Sequence, residues 1–376
     1  MRIAIAMDSF KGTLSAGEAC SIVHRALISV LPEVEVVRRP MADGGEGTAR
    51  EMLTNLGGSW VSMEVAGPLP GMRVDGGFVW FPKTRVALVE MAVVNGLPLL
   101  DKSQYNPLTA STHGTGELIR AAALKGAEKI LLAVGGSATV DGGTGAAEAL
   151  GWKFRDQHGQ SVKACGGNLG QIRIADGAHR LPLPPVEVLC DVNNPLTGER
   201  GAARVFSPQK GATPEMVEIL ESGMVNLARV IHTTVQVDVE DVPGAGAAGG
   251  LAGGAMAFMN ATLVSGIETF IEMNDVESAL DGADWLITGE GCFDEQSLNG
   301  KVISGLSALA HAKGVKVAVL AGRIKISSQR ARNFGVSLME ACAPPSILDR
   351  VALAQARDLL REAAIRLAQC IKAGRS

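Results

Sequence analysis

Residues 1–18 read MRIAIAMDSFKGTLSAGE, and the fold class turns on this stretch. Ile3 to Met7 is a short apolar run of the buried-strand type. DSFKG (8–12) follows as a polar turn carrying glycine. Ser15 with Glu18 three residues later is a capping box, and Ala19, Ile22, Val23, Ala26 and Val30 keep the stripe of an amphipathic helix. Strand, glycine turn and helix make the unit from which α/β proteins with a mostly parallel, doubly covered sheet are assembled.

The same texture recurs outward along the chain. Val34 to Val37 is a second strand, and MADGGEGT (41–48) opens a second helix. Strand-like runs at 59–66, 72–81 and 84–92, separated by Gly/Pro turns, predict an antiparallel element. A helix near 114–125 ends at Gly126. Lys129 to Val134 runs into GGSATVDGGTG (135–145), and Val186 to Cys190 ends at Asp191. Thr213-Pro214 starts a long helix, with Met216, Ile219, Leu220, Leu227 and Ile231 expected inward. Asp284 to Thr288 ends in GEGCFD, followed by strands at Val315 to Leu320 and Val336 to Met339. Asp349 begins a final helix with Leu353, Ala356, Leu360, Ala363 and Leu367 on one face. The expected architecture is two α/β domains. One is Rossmann-like, with a parallel sheet formed from both chain ends (1–66 and 265–376). The other is a mixed α/β domain inserted between (67–264). Ligand is expected in the cleft, at the carboxyl ends of the strands.

Composition narrows the function. Hydrophobic residues make up 47% and charged residues 20%, enough apolar material for a large core. A net charge of −4 offers no basic field for nucleic acid or an anionic membrane. The uncharged stretch Val242 to Ile267 is Gly/Ala-rich, follows Pro243 and lacks flanking Lys or Arg, so it reads as tight packing or a ligand loop, not a membrane span. Six cysteines without C-x-x-C spacing read as reduced thiols of a cytoplasmic protein. The strand-like start argues against a signal peptide.

Glycine is abundant, 46 residues, and it clusters after apolar strands at DSFKG, ADGGEGT (42–48), GGSATVDGGTG and GEGCFDEQSLNGK (289–301). Such turns let backbone N–H groups converge on an anion at a helix start. No Walker A sequence, H-R-D/D-F-G set, G-x-S-x-G, H-E-x-x-H or strict G-x-G-x-x-G is present, which takes support from the usual NTPase, protein kinase, hydrolase and zinc-protease readings and disfavours a dinucleotide oxidoreductase. Acids crowd these turns: Asp8, Asp43, Glu46, Asp141, Asp191, Glu290 and Asp294. A divalent cation such as Mg²⁺ bridging to phosphate would account for them, with Lys11, Lys210 and Lys301 neutralising the transferring group.

The segments DSFKGTLSA, MADGGEGT, NPLTASTHGTGELI, GGSATVDGGTGAAEALG, CDVNNPLTGERGAARVFSPQKGA, PGAGAAGGLAGG and GEGCFDEQSLNGK occur in this order. Together they resemble the bacterial glycerate kinase family, the type that makes 2-phosphoglycerate, from residue 1 to about 305. The resemblance implies ATP and Mg²⁺, with D-glycerate as acceptor. It also implies small-molecule partners only, with a homodimer as one assembly. One departure stands out: the family commonly has Arg after G-E-G, where this chain has Cys292.

On this reading Asp191, Lys11 and Asp8 are the catalytic candidates, Asp191 as base or orienter of the acceptor hydroxyl. Gly135, Gly136, Ser137, Thr139, Lys210, Gly289, Gly291 and Lys301 are expected to hold ATP phosphates. Asp43, Glu46, Asn193 and Asp294 are expected on substrate, and Asp141 and Glu290 on metal. His113 is the most site-like histidine. The alternatives are an NAD-dependent hydroxy-acid dehydrogenase and a non-catalytic metabolite-binding homologue.

Overall fold

The computed structural model describes residues 1–10, 12–42, 45, 47–298, 302–344 and 349–374, with the side chains of 296, 349 and 350 outside the description. In chain order the strands are β1 (Arg2–Met7), β2 (Glu35–Arg38), β3 (Ser59–Ala66), β4 (Arg73–Phe81), β5 (Val86–Glu90), β6 (Lys129–Ala133), β7 (Lys153–Arg155), β8 (Ile174–Asp176), β9 (Val186–Leu189), β10 (Thr262–Val264), β11 (Trp285–Phe293), β12 (Lys316–Ile324) and β13 (Val336–Ala341). They fall into two compact units. One comprises Met1–Asp43, Thr54–Leu56 and Ile267–Ser376, the other Gly44–Leu53 and Gly57–Gly266.

The first unit has an all-parallel sheet in the order β13-β12-β11-β1-β2, drawn from both ends of the chain. The chain leaves β1 toward β2 and later returns on the other side of β1, so the strand order reverses between β1 and β11. In open α/β sheets that reversal opens a crevice beyond the strand ends. The Ala16–Val30 and Ala356–Lys372 helices share one apolar core with β1, through Ile3, Ile5, Val23, Leu27, Leu360 and Leu367. The capping box forms: Ser15 Oγ accepts from Glu18 N at 3.2 Å, and the Glu18 carboxylate accepts from Ser15 N at 3.0 Å. Such a cap stabilises a helix by about 1 kcal/mol. The final helix departs from expectation. It is two pieces, Asp349–Ala354 and Ala356–Lys372, and Leu353 stays 56% exposed because the core stripe begins only in the second piece.

The second unit has a six-stranded sheet, β10-β9-β6-β5-β4-β3. The strands from β10 to β5 run parallel, and β5, β4 and β3 form an antiparallel meander. β3, placed with the first domain in the sequence reading, is hydrogen-bonded along its whole length to β4 and falls in the second unit, as does Gly44–Leu53. The Pro214–Val230 helix starts at Thr213, whose hydroxyl accepts from Met216 N at 3.3 Å. Leu220, Met224 and Leu227 face inward, while Ile219 is half exposed, contrary to the expected stripe. The Ala247–Met259 helix contains a left-handed turn, with φ of 55°, 66° and 84° at Ala248, Gly249 and Gly250. A Cβ on Gly249 would stand 2.1 Å from Thr139 O, and one on Gly254 2.1 Å from Gly142 O. The glycines of 243–254 thus let this segment lie directly on the 139–143 backbone. Among the described residues no helix is long and apolar enough to cross a membrane.

Candidate active site

Four parallel strands of the second unit end level with one another. Glu90 of β5 pairs with Ala133 of β6, Ala133 with Leu189 of β9, and Leu189 with Val264 of β10. The residues just past these ends line one edge. Asp191, two past the end of β9, is exposed. Its Oδ1 accepts from Ser265 Oγ and Gly266 N, both at 3.0 Å, which fixes the carboxylate against the exit of β10. Asn193 is exposed two residues on, and the Asn194 amide donates to Arg200 O at 2.8 Å. Burial pushes the Cys190 thiol up, which favours its protonated form.

Beyond β6 lies the 135–145 loop, turned at Gly136, Gly142 and Gly143 with φ of 72°, 60° and 73°. Its shape is set from inside. Asp141 is fully buried. Its Oδ2 accepts from Thr112 N (2.8 Å), Thr112 Oγ1 (2.9 Å) and Gly145 N (3.2 Å), and its Oδ1 from Gly143 N (3.1 Å). Burial raises its pKa while these donors pull it back. A carboxylate so occupied acts as a structural clamp on the loop. Lys210 is equally internal at 2% exposure. Its Nζ donates to Ser137 Oγ at 2.6 Å and Thr139 O at 2.7 Å. Burial pushes its pKa down to about 7, against the pull of Asp141. The amine thus ties the loop at two of its acceptors. Ser137 and Thr139, expected on phosphate, are themselves buried. His113 pairs with Glu148 at 3.4 Å, and that hydrogen bond raises its pKa against the opposing effect of burial.

The first unit carries its acids at the β1/β11 reversal. Asp8, 6% exposed, follows β1; its N donates to Gly289 O at 2.9 Å and its Oδ1 accepts from Ser9 N at 2.6 Å. Met7 and Gly289 are the last register pair, so Asp8 and Glu290 follow side by side. GEGCF is not a loop. β11 runs through Phe293 and pairs with β12 as far as Ile324, and a Cβ on Gly289 would sit 1.8 Å from Leu320 O. Gly289 and Gly291 are therefore strand residues, where the sequence placed them in a turn. Cys292 is in register with Arg323, so a cation stands beside the position where the sequence departs from its resemblance. Asp294 opens a tight turn, its N donating to Ser297 Oγ at 3.1 Å. Lys11, Asp43, Glu46 and Lys301 lie outside the described residues.

A family model described as "Glycerate kinase family" matches residues 3–372. The chain belongs to the glycerate kinase family. A glycerate kinase of Bacillus subtilis (strain 168) is 38% identical over 99% of this chain and 98% of its own length. A glycerate 2-kinase of Escherichia coli (strain K12) is 40% identical over 86% of each. A crystal structure assigned to glycerate kinase 2 of Salmonella typhimurium LT2 superposes with a TM-score of 0.88, at 38% identity, over 100% of this chain and 99% of that one.

Within this family member the structure brings forward residues that the motif reading passed over. Glu90 is 2% exposed and accepts from Gly47 N and Ala49 N, both at 2.8 Å, so a strand-end acid caps the Thr48–Leu56 helix. The signal was present: Glu90 ends the apolar run VALVE as Asp8 ends β1. Asn95 Oδ1 accepts from Thr115 N and Oγ1, both at 2.7 Å, seating the His113–Leu124 helix beside the loop. Among the described residues no group of three or more His, Cys, Asp or Glu is placed to hold a metal ion.

Proposed function

We propose that this protein phosphorylates D-glycerate with ATP to give 2-phosphoglycerate. The observation that carries this reading is the family match along the whole chain, residues 3–372. The geometry supports it: Asp191 is held open to solvent at a strand end, level with a rigid glycine loop.

In this mechanism the backbone amides at 135–137 and 139–141 receive phosphate charge, those of Ala138 and 142–145 being donated to protein acceptors, since fixed dipoles stabilise developing charge without reorganising. Asp191 orients the acceptor hydroxyl and takes its proton as the bond to phosphorus forms. Ser265 and Gly266 hold that carboxylate in one rotamer, lowering the entropy lost in positioning it. Mg²⁺ fits Asp8 and Glu290, because neighbouring carboxylates, one just past β1 and one on β11, match its preference for one or two acids plus phosphate oxygens. It would supply charge neutralisation there. Asp141 does not fit, its oxygens being filled by protein donors. The six cysteines are free thiols, in keeping with action in the cytoplasm.

The deciding experiment is a coupled ADP-release assay across D-glycerate and related small hydroxy acids, with the product's phosphate position read by phosphorus NMR. ADP formed with D-glycerate and a 2-phosphate signal is the expected result. Glycerate bound with no ADP released overturns the reading.

A further inference from the structure

Lys210 comes from the Pro208–Lys210 turn, closed by Gly211 at φ 89°. A Cβ on Gly211 would stand 2.7 Å from Tyr105 Cβ, so the turn sits tightly in place. From there the side chain passes into the interior and ends on two acceptors of a single loop, Ser137 Oγ and Thr139 O. Between them Ala138 N donates to Asn95 O at 2.9 Å, and just before them Gly136 O accepts from Leu97 N at 2.9 Å. Burying a flexible ammonium carries a desolvation penalty and a loss of side-chain entropy. A serine or asparagine would tie a loop at far lower cost. What an ammonium adds is positive potential beneath backbone that faces an anion, in a medium of low dielectric.

We propose that Lys210 is a positioning residue for phosphoryl transfer: its ammonium fixes Ser137 and Thr139 from beneath, so that the amides of the 135–145 loop keep the arrangement that receives phosphate. The inference rests on the kinase reading above for its purpose, and on geometry alone for its strut.

The test replaces Lys210 with methionine, which has similar length and no donor. Lys210→Met is expected to lower kcat about 100-fold, with KM for D-glycerate within about twofold of wild type. Amides of the 135–145 peptide should exchange with deuterium about 10-fold faster, while peptides of β5, β6 and β9 keep their wild-type rates. A kcat close to wild type, or unchanged exchange in 135–145, overturns the proposal. Should Lys210→Met not fold, Ser137→Ala removes one acceptor and leaves the lysine; faster exchange in the same peptide supports the strut, and wild-type exchange overturns it. If the wild-type protein releases no ADP with D-glycerate, the kinase reading falls and the exchange measurement decides the strut by itself.

Discussion

In the 135–145 stretch the backbone turns at Gly136, Gly142 and Gly143, each at positive φ, and buried side chains hold it from within. In the 289–293 stretch the chain stays extended, paired with β12 to its end and with β1 only at Gly289. Both follow an apolar strand and both carry an acid within a few residues. The first uses glycine for its left-handed conformations. The second uses it because Leu320 O leaves no room for a Cβ. Glycine next to acid therefore has two physical meanings here, and only one of them makes an anion loop. The loop's acid, Asp141, is buried as scaffold, whereas Asp191, past β9, is exposed and Glu290, on β11, is half-buried.

The largest expected effect tests whether chemistry follows exposure. Asp191→Asn should cut kcat at least about 100-fold while the thermal melt stays near wild type, because it removes a proton acceptor and keeps the shape. Near-wild-type turnover in the ADP-release assay would take Asp191 out of the mechanism. Asp141→Ala should act on stability instead. It strands the donors of Thr112, Gly143 and Gly145 in the interior, a loss of about 3–5 kcal/mol by urea unfolding. A loss below about 1 kcal/mol would show that the loop does not depend on its buried acid.

Much of the frame was legible because local chemistry and fold agree. Ser15 and Glu18 cap the helix they announce, Thr213 caps another, and the runs at 129–134 and 186–190 are buried strands. Periodicity failed where two solutions share one pattern. Ile219 keeps helical spacing yet points outward, since the helix packs through Gly223, where a Cβ would stand 2.9 Å from Leu169 Cβ, and the inward stripe centres on Leu220, Met224 and Leu227. The roles of Asp141 and Lys210 were hidden for a different reason. An acid or a lysine in a glycine segment reads the same whether it faces ligand or core, and the residues that settle the matter, Thr112 and Ser137, are distant in sequence.

The contrast between the two stretches sharpens with one substitution in each. Gly289→Ala should cost about 2–3 kcal/mol, because the new methyl meets backbone of a central strand that cannot retreat. Gly136→Ala should cost about 1–2 kcal/mol, the penalty of a left-handed residue with a Cβ. Denaturant midpoints for both variants check the order. Equal costs would mean that crowding and backbone strain are not separable here.

The smallest expected effect, per pH unit, concerns protons. Burial holds Lys210 at about 7, where an unfolded lysine titrates near 10.5. Below about pH 7 both states carry the proton, and the folded state bears the full burial penalty. Between about 7 and 10.5 the unfolded chain binds more protons than the folded one, so stability rises with pH, by at most about 1.4 kcal/mol per unit. The charge facing the lysine is Asp141, whose own pKa is raised from an acidic starting point. Urea midpoints for wild type and Lys210→Met at pH 7, 8 and 9 isolate the lysine, because other titrations are common to both. Wild type should gain on the variant as pH rises. Parallel curves would mean that the ammonium keeps its proton throughout. The loop would then rest on a permanent buried charge, and its hold on Ser137 and Thr139 would be independent of pH across this range.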